Sequence, residues 1–266
     1  MNKSAISNWL WYYRKLLLFV GLLLVALELI YFFPTWLFSV ALVILVMIGA
    51  FVWWIGNLKA TKAVWLFVCE LVWTIFAGIG FLIFSLLTLW QTQLVIALIV
   101  FLAGLVVYWH QNSIDNKQWD LAAVNWLSLV NLLVMFLATA TLMLTVQFYS
   151  LGVFWLMIGI GIQLVLALYL LFWRQGMPDK KFWLYAVLLA WVGEQLIWIT
   201  HAWHKSIYLK AFLFVVIYYL YSDFVAHYLR GNLTAKIIFE YIVIAVVLIL
   251  VIFLFDWIFL LIPSIV

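Results

Sequence analysis

The chain has 266 residues, 71% hydrophobic and only 8% charged. A soluble domain keeps about a quarter of its residues charged to face water, so most of this surface must face lipid. The net charge of +4 and the single cysteine, Cys69, point the same way: no basic cluster lies clear of an apolar run to bind nucleic acid, and neither a disulfide framework nor a Cys-rich metal site is available.

Arg14 and Lys15 precede an apolar run that continues through Phe33 with no small-residue cleavage site, so it reads as a retained first span rather than a signal peptide. A span takes about 20 apolar residues at 1.5 Å each to cross roughly 30 Å. Nine segments qualify: about 16–33, 35–56, 63–90, 93–109, 119–146, 149–173, 182–204, 207–229 and 237–262. The expected fold is an all-α polytopic membrane bundle forming one integral domain. Two boundaries are faint. Pro34 and Thr35 alone divide the first pair, and Gln91, Thr92 and Gln93 alone divide the third from the fourth. An unbroken helix over 16–56 would be about 60 Å long, twice the hydrocarbon thickness, so the chain must turn at Pro34.

Basic residues set the expected orientation. Nine spans put Lys3, Arg14, Lys15, Lys59, Lys62, Lys117, Arg174, Lys180, Lys181, Arg230 and Lys236 on one side, and only Lys205 and Lys210 on the other. That asymmetry predicts a cytoplasmic amino terminus and an external carboxyl terminus in the cell membrane. The loops on the basic side resemble one another, and two share Gly-Asn-Leu, at Gly56–Leu58 and Gly231–Leu233. Glycine can end a helix there in the left-handed conformation. Either a duplicated helical hairpin or independent selection for tight, lysine-bearing, aromatic-flanked turns would produce the likeness, and the second is favoured because no repeat runs through the spans.

Ionisable and amide side chains inside spans are the candidates for function. In the first span Glu28 lies a turn or two from the outer surface. Glu70 and His110 lie near the inner ends of the third and fourth. In the fifth, Asn125, Ser128 and Asn131 fall within about a third of the circumference, with Thr139 on the same arc and Gln163 in the sixth. They read either as one wall of a hydrated path or as interhelical hydrogen bonding, which commonly joins helices in lipid.

The seventh span carries Trp191, Glu194, Trp198 and His201 on one face, with Glu194 near mid-membrane. Hydrocarbon favours the neutral form of an unpaired carboxyl, which suits a proton or cation carrier, or a single hydrogen bond to a neighbouring helix. His201 and His204 are spaced i, i+3, but no metal site is expected because His204 falls in an external turn beside Lys205. In the eighth span Asp223 and His227 sit one turn apart, an arrangement suited to acid–base work or to a salt-bridged rim with Arg230. Lys210 enters the same span from the outer side and should form a structural ion pair with Glu28 or Asp256.

No nucleophile elbow, phosphate-cradling glycine loop or HExxH occurs. His110 and His227 share a depth but sit at the rim, so no haem or other cofactor is expected. The leading expectation is therefore a small transporter or ion- or proton-translocating protein using Glu194, His201, Asp223, His227, Asn125 and Asn131. A scaffold or anchor subunit of a larger assembly is one alternative. An intramembrane enzyme using Asp223 and His227 on a lipid-linked substrate is the other. Expected partners are membrane lipids and either a second copy of the chain or another membrane subunit; nucleic acid is not among them.

Overall fold

The computed structural model describes residues 3–55, 62–85, 87–116, 121–174, 179–201, 206–229, 231–244, 246–247 and 250. Among these the chain is helical, without strands: α1 (Lys3–Phe32), a 3-10 turn (Pro34–Trp36), α2 (Leu37–Ile55), α3 (Lys62–Phe84), α4 (Leu89–Asn116), α5 (Leu121–Phe148), α6 (Val153–Arg174), α7 (Asp179–His201) and α8 (Ile207–Leu229). All eight helices are long and apolar enough to cross a membrane. The protein is a multi-pass membrane bundle. Residues 235–244 begin a further helix, capped where the Thr234 hydroxyl accepts the Ile237 N–H at 3.4 Å. Most of the expected ninth span, Asp256 included, lies outside the described residues.

The turns follow from local chemistry. Proline lacks an N–H and fits a first helical position; here Pro34 opens the 3-10 turn, and Trp36 N–H closes onto Phe33 O at 2.9 Å. The break between α3 and α4 falls before Leu89, not at the Gln91–Gln93 polar triplet. The reason is a cap: the Gln91 Oε1 reaches back to accept the Thr88 N–H at 3.0 Å, half of a capping box, so the glutamine starts a helix instead of interrupting one.

Two helices end in the same paired-bond motif. After α5, Ser150 takes φ +51°, with Leu151 N–H on Val146 O at 2.9 Å. After α8, Gly231 takes φ +70°, with Asn232 N–H on His227 O at 3.3 Å. The left-handed glycine expected at Gly231 is present; its counterpart Gly56 lies outside the described residues.

Helix α5 is the hub, packed on α3, α4, α6 and α8, while α1 packs on α2 and α4, and α7 on α6 and α8. The apolar effect contributes little between helices in lipid, so close packing and hydrogen bonds must hold them. Both are seen: buried Leu71, Ile75, Ile96, Ile99, Leu127 and Leu164 join one core, and the Thr141 hydroxyl of α5 lies 3.3 Å from Ala77 O of α3. Exposed Trp36, Trp53, Trp65, Trp90, Trp155 and Trp183 lie at the ends of their spans, as an aromatic belt requires. That accounts for part of the tryptophan content. The end at which α1 begins is termed proximal below, and the opposite end distal.

Candidate functional site

Polar side chains on α5 recur every three or four residues because that spacing returns to one helical face. Asn125, Ser128 and Asn131 line a cavity of about 430 Å³ in the proximal half, together with Leu171 of α6 and Tyr218, Tyr219, Ser222 and Asp223 of α8. The amide and carboxylate candidates on two different helices are thus brought together. Asn131, only 3% exposed, forms the inner wall, donating from Nδ2 to Tyr218 Oη at 3.1 Å and to Ala167 O at 3.4 Å. Asp223 accepts the hydroxyl of Tyr241 from the helix that follows α8.

A second cavity of about 400 Å³ occupies the distal end of the same seam, lined by Met143, Val146, Gln147, Ser150 and Leu151 around α5 and by Ile207 and Lys210 of α8. Between the two, Leu132, Leu133 and Phe136 of α5 and Phe212, Val215 and Leu220 of α8 line an apolar groove of about 500 Å³, while Ala211, Phe214 and Tyr218 of α8 are buried. Gln163 seals the neighbouring α5–α6 contact, donating from Nε2 to Met135 O at 3.1 Å and Thr139 Oγ1 at 3.0 Å. The seam therefore carries a carboxylate cavity at one end, an ammonium cavity at the other and an apolar middle.

Beside the proximal cavity lies a cluster of three buried ionisable residues from three helices. Arg174 Nη2 of α6 ion-pairs with Glu70 Oε2 of α3, and His110 Nε2 of α4 is 3.3 Å from the same oxygen. Arg174 is 2% exposed, and Glu70 and His110 each 1%. Two further contacts orient the cluster: Arg174 Nη1 donates to Leu127 O of α5 at 3.1 Å, and His110 Nδ1 meets Val106 O at 3.0 Å. A carbonyl only accepts, so Nδ1 bears the hydrogen, and the Nε2–Oε2 contact needs a proton on one of its two atoms. Charges removed from water are tolerable only when paired and hydrogen-bonded. The charges here are paired, although Glu70 Oε1 and Arg174 Nε are buried without a hydrogen-bond partner among the described residues, and the cluster joins α3, α4, α5 and α6.

The remaining candidates are dispersed. Glu194 of α7 is half-buried against Gly161 of α6, in a separate groove between those two helices. His201 ends α7, and its side chain lies outside the described residues, as does His204. Asp223 and His227 take different partners: His227 Nδ1 meets Asn232 Oδ1 at 3.1 Å, while Asp223 holds Tyr241. Glu28 accepts from Gln93 Nε2 at 3.2 Å, and Lys210 lines the distal cavity. No three His, Cys, Asp or Glu side chains gather as metal ligands would among the described residues.

The apolar run stops at Trp173, which places Arg174 in the following loop by sequence alone. The available signal was that Glu70, His110 and Arg174 all lie near the same end of adjacent spans, and lone charges there need one another. Tyr218 and Tyr241 carried no such signal; a tyrosine among aromatics reads as bulk. Comparison with protein-family models, with curated proteins and with solved structures finds no match to this chain.

Proposed function

We propose that the protein is a small proton-translocating transporter of the cell membrane, working along the seam between α5 and α8, with the proximal end facing the cytoplasm. The observation that carries this reading is the pair of polar cavities at opposite ends of one seam, separated by an apolar middle. Two polar vestibules around an apolar centre suit alternating access, in which one element rocks against a fixed frame. Here the frame is α3 to α6, riveted by the Glu70–His110–Arg174 cluster, and the moving element is α8.

Asp223 is the proton-binding group, reached from the proximal cavity and surrounded by hydroxyls and amides able to pass protons. Lys210 in the distal cavity sets a positive barrier against hydrated metal cations, as fixed positive charge does in other narrow pathways. The excess of basic residues flanking the proximal end supports its assignment to the cytoplasm.

The test is dye-reported proton flux into potassium-loaded proteoliposomes after valinomycin is added. Wild-type vesicles should move protons faster than protein-free ones, and Asp223→Asn should lower that excess at least about tenfold. Equal rates in wild-type and empty vesicles, or an undiminished rate in Asp223→Asn, would refute the reading.

A further inference from the structure

The groove between α6 and α7 has no role in that pathway. It encloses about 590 Å³, with Ile158, Ile162 and Val165 of α6 facing Leu188, Trp191 and Glu194 of α7. Its outer lip is formed by side chains exposed on the bundle's lipid-facing surface, Trp191 at 61% and Ile162 at 68%. Anything entering therefore arrives from the bilayer and must itself dissolve there.

Among the described residues, the only ionisable group lining this groove is Glu194. It lies six residues before Thr200, the distal limit of the span, about 9 Å in at 1.5 Å per residue. No hydrogen-bond or ion-pair partner for it occurs among the described residues. Gly161 leaves the space that its carboxyl occupies; a Cβ at position 161 would overlap Glu194 Oε1. Trp191, one turn earlier on the same helix, borders the same space.

We infer that this groove binds a lipophilic monovalent cation, with Glu194 as counter-charge and Trp191 as the aromatic surface beside it. A carboxylate in hydrocarbon is expensive unless paired, and a cation that takes the place of the carboxyl's proton supplies that pairing. A tryptophan face attracts the same cation, most strongly once water is excluded. The aliphatic walls suit alkyl or aryl substituents, and the volume lies in the range of small-molecule sites. Small hydrated ions such as sodium fit poorly, because the remaining walls offer no oxygen ligands. The inference concerns a site separate from the α5–α8 seam and stands without it.

The experiment is saturation binding of radiolabelled tetraphenylphosphonium to the full chain in nanodiscs, with protein-free nanodiscs subtracted. Saturable binding of one equivalent is expected, weakened at least about tenfold in Glu194→Gln and several-fold in Trp191→Leu. Gly161→Ala, which keeps every charge, should weaken it by crowding the carboxyl, and Asp223→Asn should leave it intact. Elution of each variant as a single monodisperse peak certifies its fold. Tetraphenylborate, the same shape with opposite charge, should show no saturable binding. Absence of saturable binding to wild type, or unchanged affinity in a monodisperse Glu194→Gln, would overturn the inference.

Discussion

Arg174→Ala is expected to lower the thermal midpoint of the purified protein by roughly 10 °C, the counterpart of about 3–5 kcal/mol. The loss comes less from the missing attraction than from what remains. Glu70 stays fully buried with His110 as its only neighbouring ionic partner, and Leu127 O loses its donor. An unpaired buried charge is among the costliest single defects known. Glu70→Gln should be damaging for the converse reason, leaving the guanidinium without its carboxylate.

The double variant Glu70→Leu/Arg174→Met tests this account against simple loss of packing. It removes both charges, keeps similar volume, and should recover most of the midpoint, since apolar replacement of a whole buried pair is often neutral or better. Recovery shows that pairing is the issue. A double variant as unstable as Arg174→Ala would mean that the cluster acts through shape or through the hydrogen bond to α5.

Tyr218→Ala is the second large effect. Tyr218 is 1% exposed, the largest fully buried side chain among the described residues, and it meets Tyr221 edge-on with centroids 5.8 Å apart. Truncation should cost about 3–5 kcal/mol through the cavity it leaves. That void would adjoin the proximal cavity and extend it toward the apolar middle of the seam. Proton flux through the variant should therefore rise above wild type and persist in the absence of a membrane potential change large enough to drive the wild-type cycle. Tyr218→Phe keeps the ring and loses only the oxygen that accepts from Asn131. An interhelical hydrogen bond in lipid is worth about 0.6 kcal/mol on average, so this variant should fold normally and leak within about twofold of wild type. Equal leakage from both would show that the ring is not the barrier.

Much of the fold was legible from residue order because lipid imposes a single rule, that backbone polar groups be satisfied within the span. Apolar runs then mark helices, Pro34 marks a turn, and Gly231 marks a helix end. The α5 stripe was legible too, since Asn125, Ser128 and Asn131 share an azimuth whatever surrounds them. Which helix that stripe would face was not. A sequence specifies depth and angle on each helix separately, whereas the partner depends on packing among side chains that are nearly all alike. That is why Asp223 was paired on paper with His227, its neighbour one turn away, while in the fold it turns to Tyr241. It is also why Arg174, one residue past an apolar run, was assigned to solvent, although its long side chain bends back into the bundle. Gln91 misled for a simpler reason: a polar residue at a helix start looks like an interruption until its cap is seen.

The proposed function requires that the two cavities of the α5–α8 seam open on opposite faces of the membrane. Single cysteines at Ser128 and Gln147, each in a Cys69→Ser background, report on it through a membrane-impermeant maleimide applied to one face at a time. Ser128→Cys should label only from the face bearing the amino terminus, and Gln147→Cys only from the other. Labelling of both positions from a single face, or failure of Ser128→Cys to label from either, would contradict it.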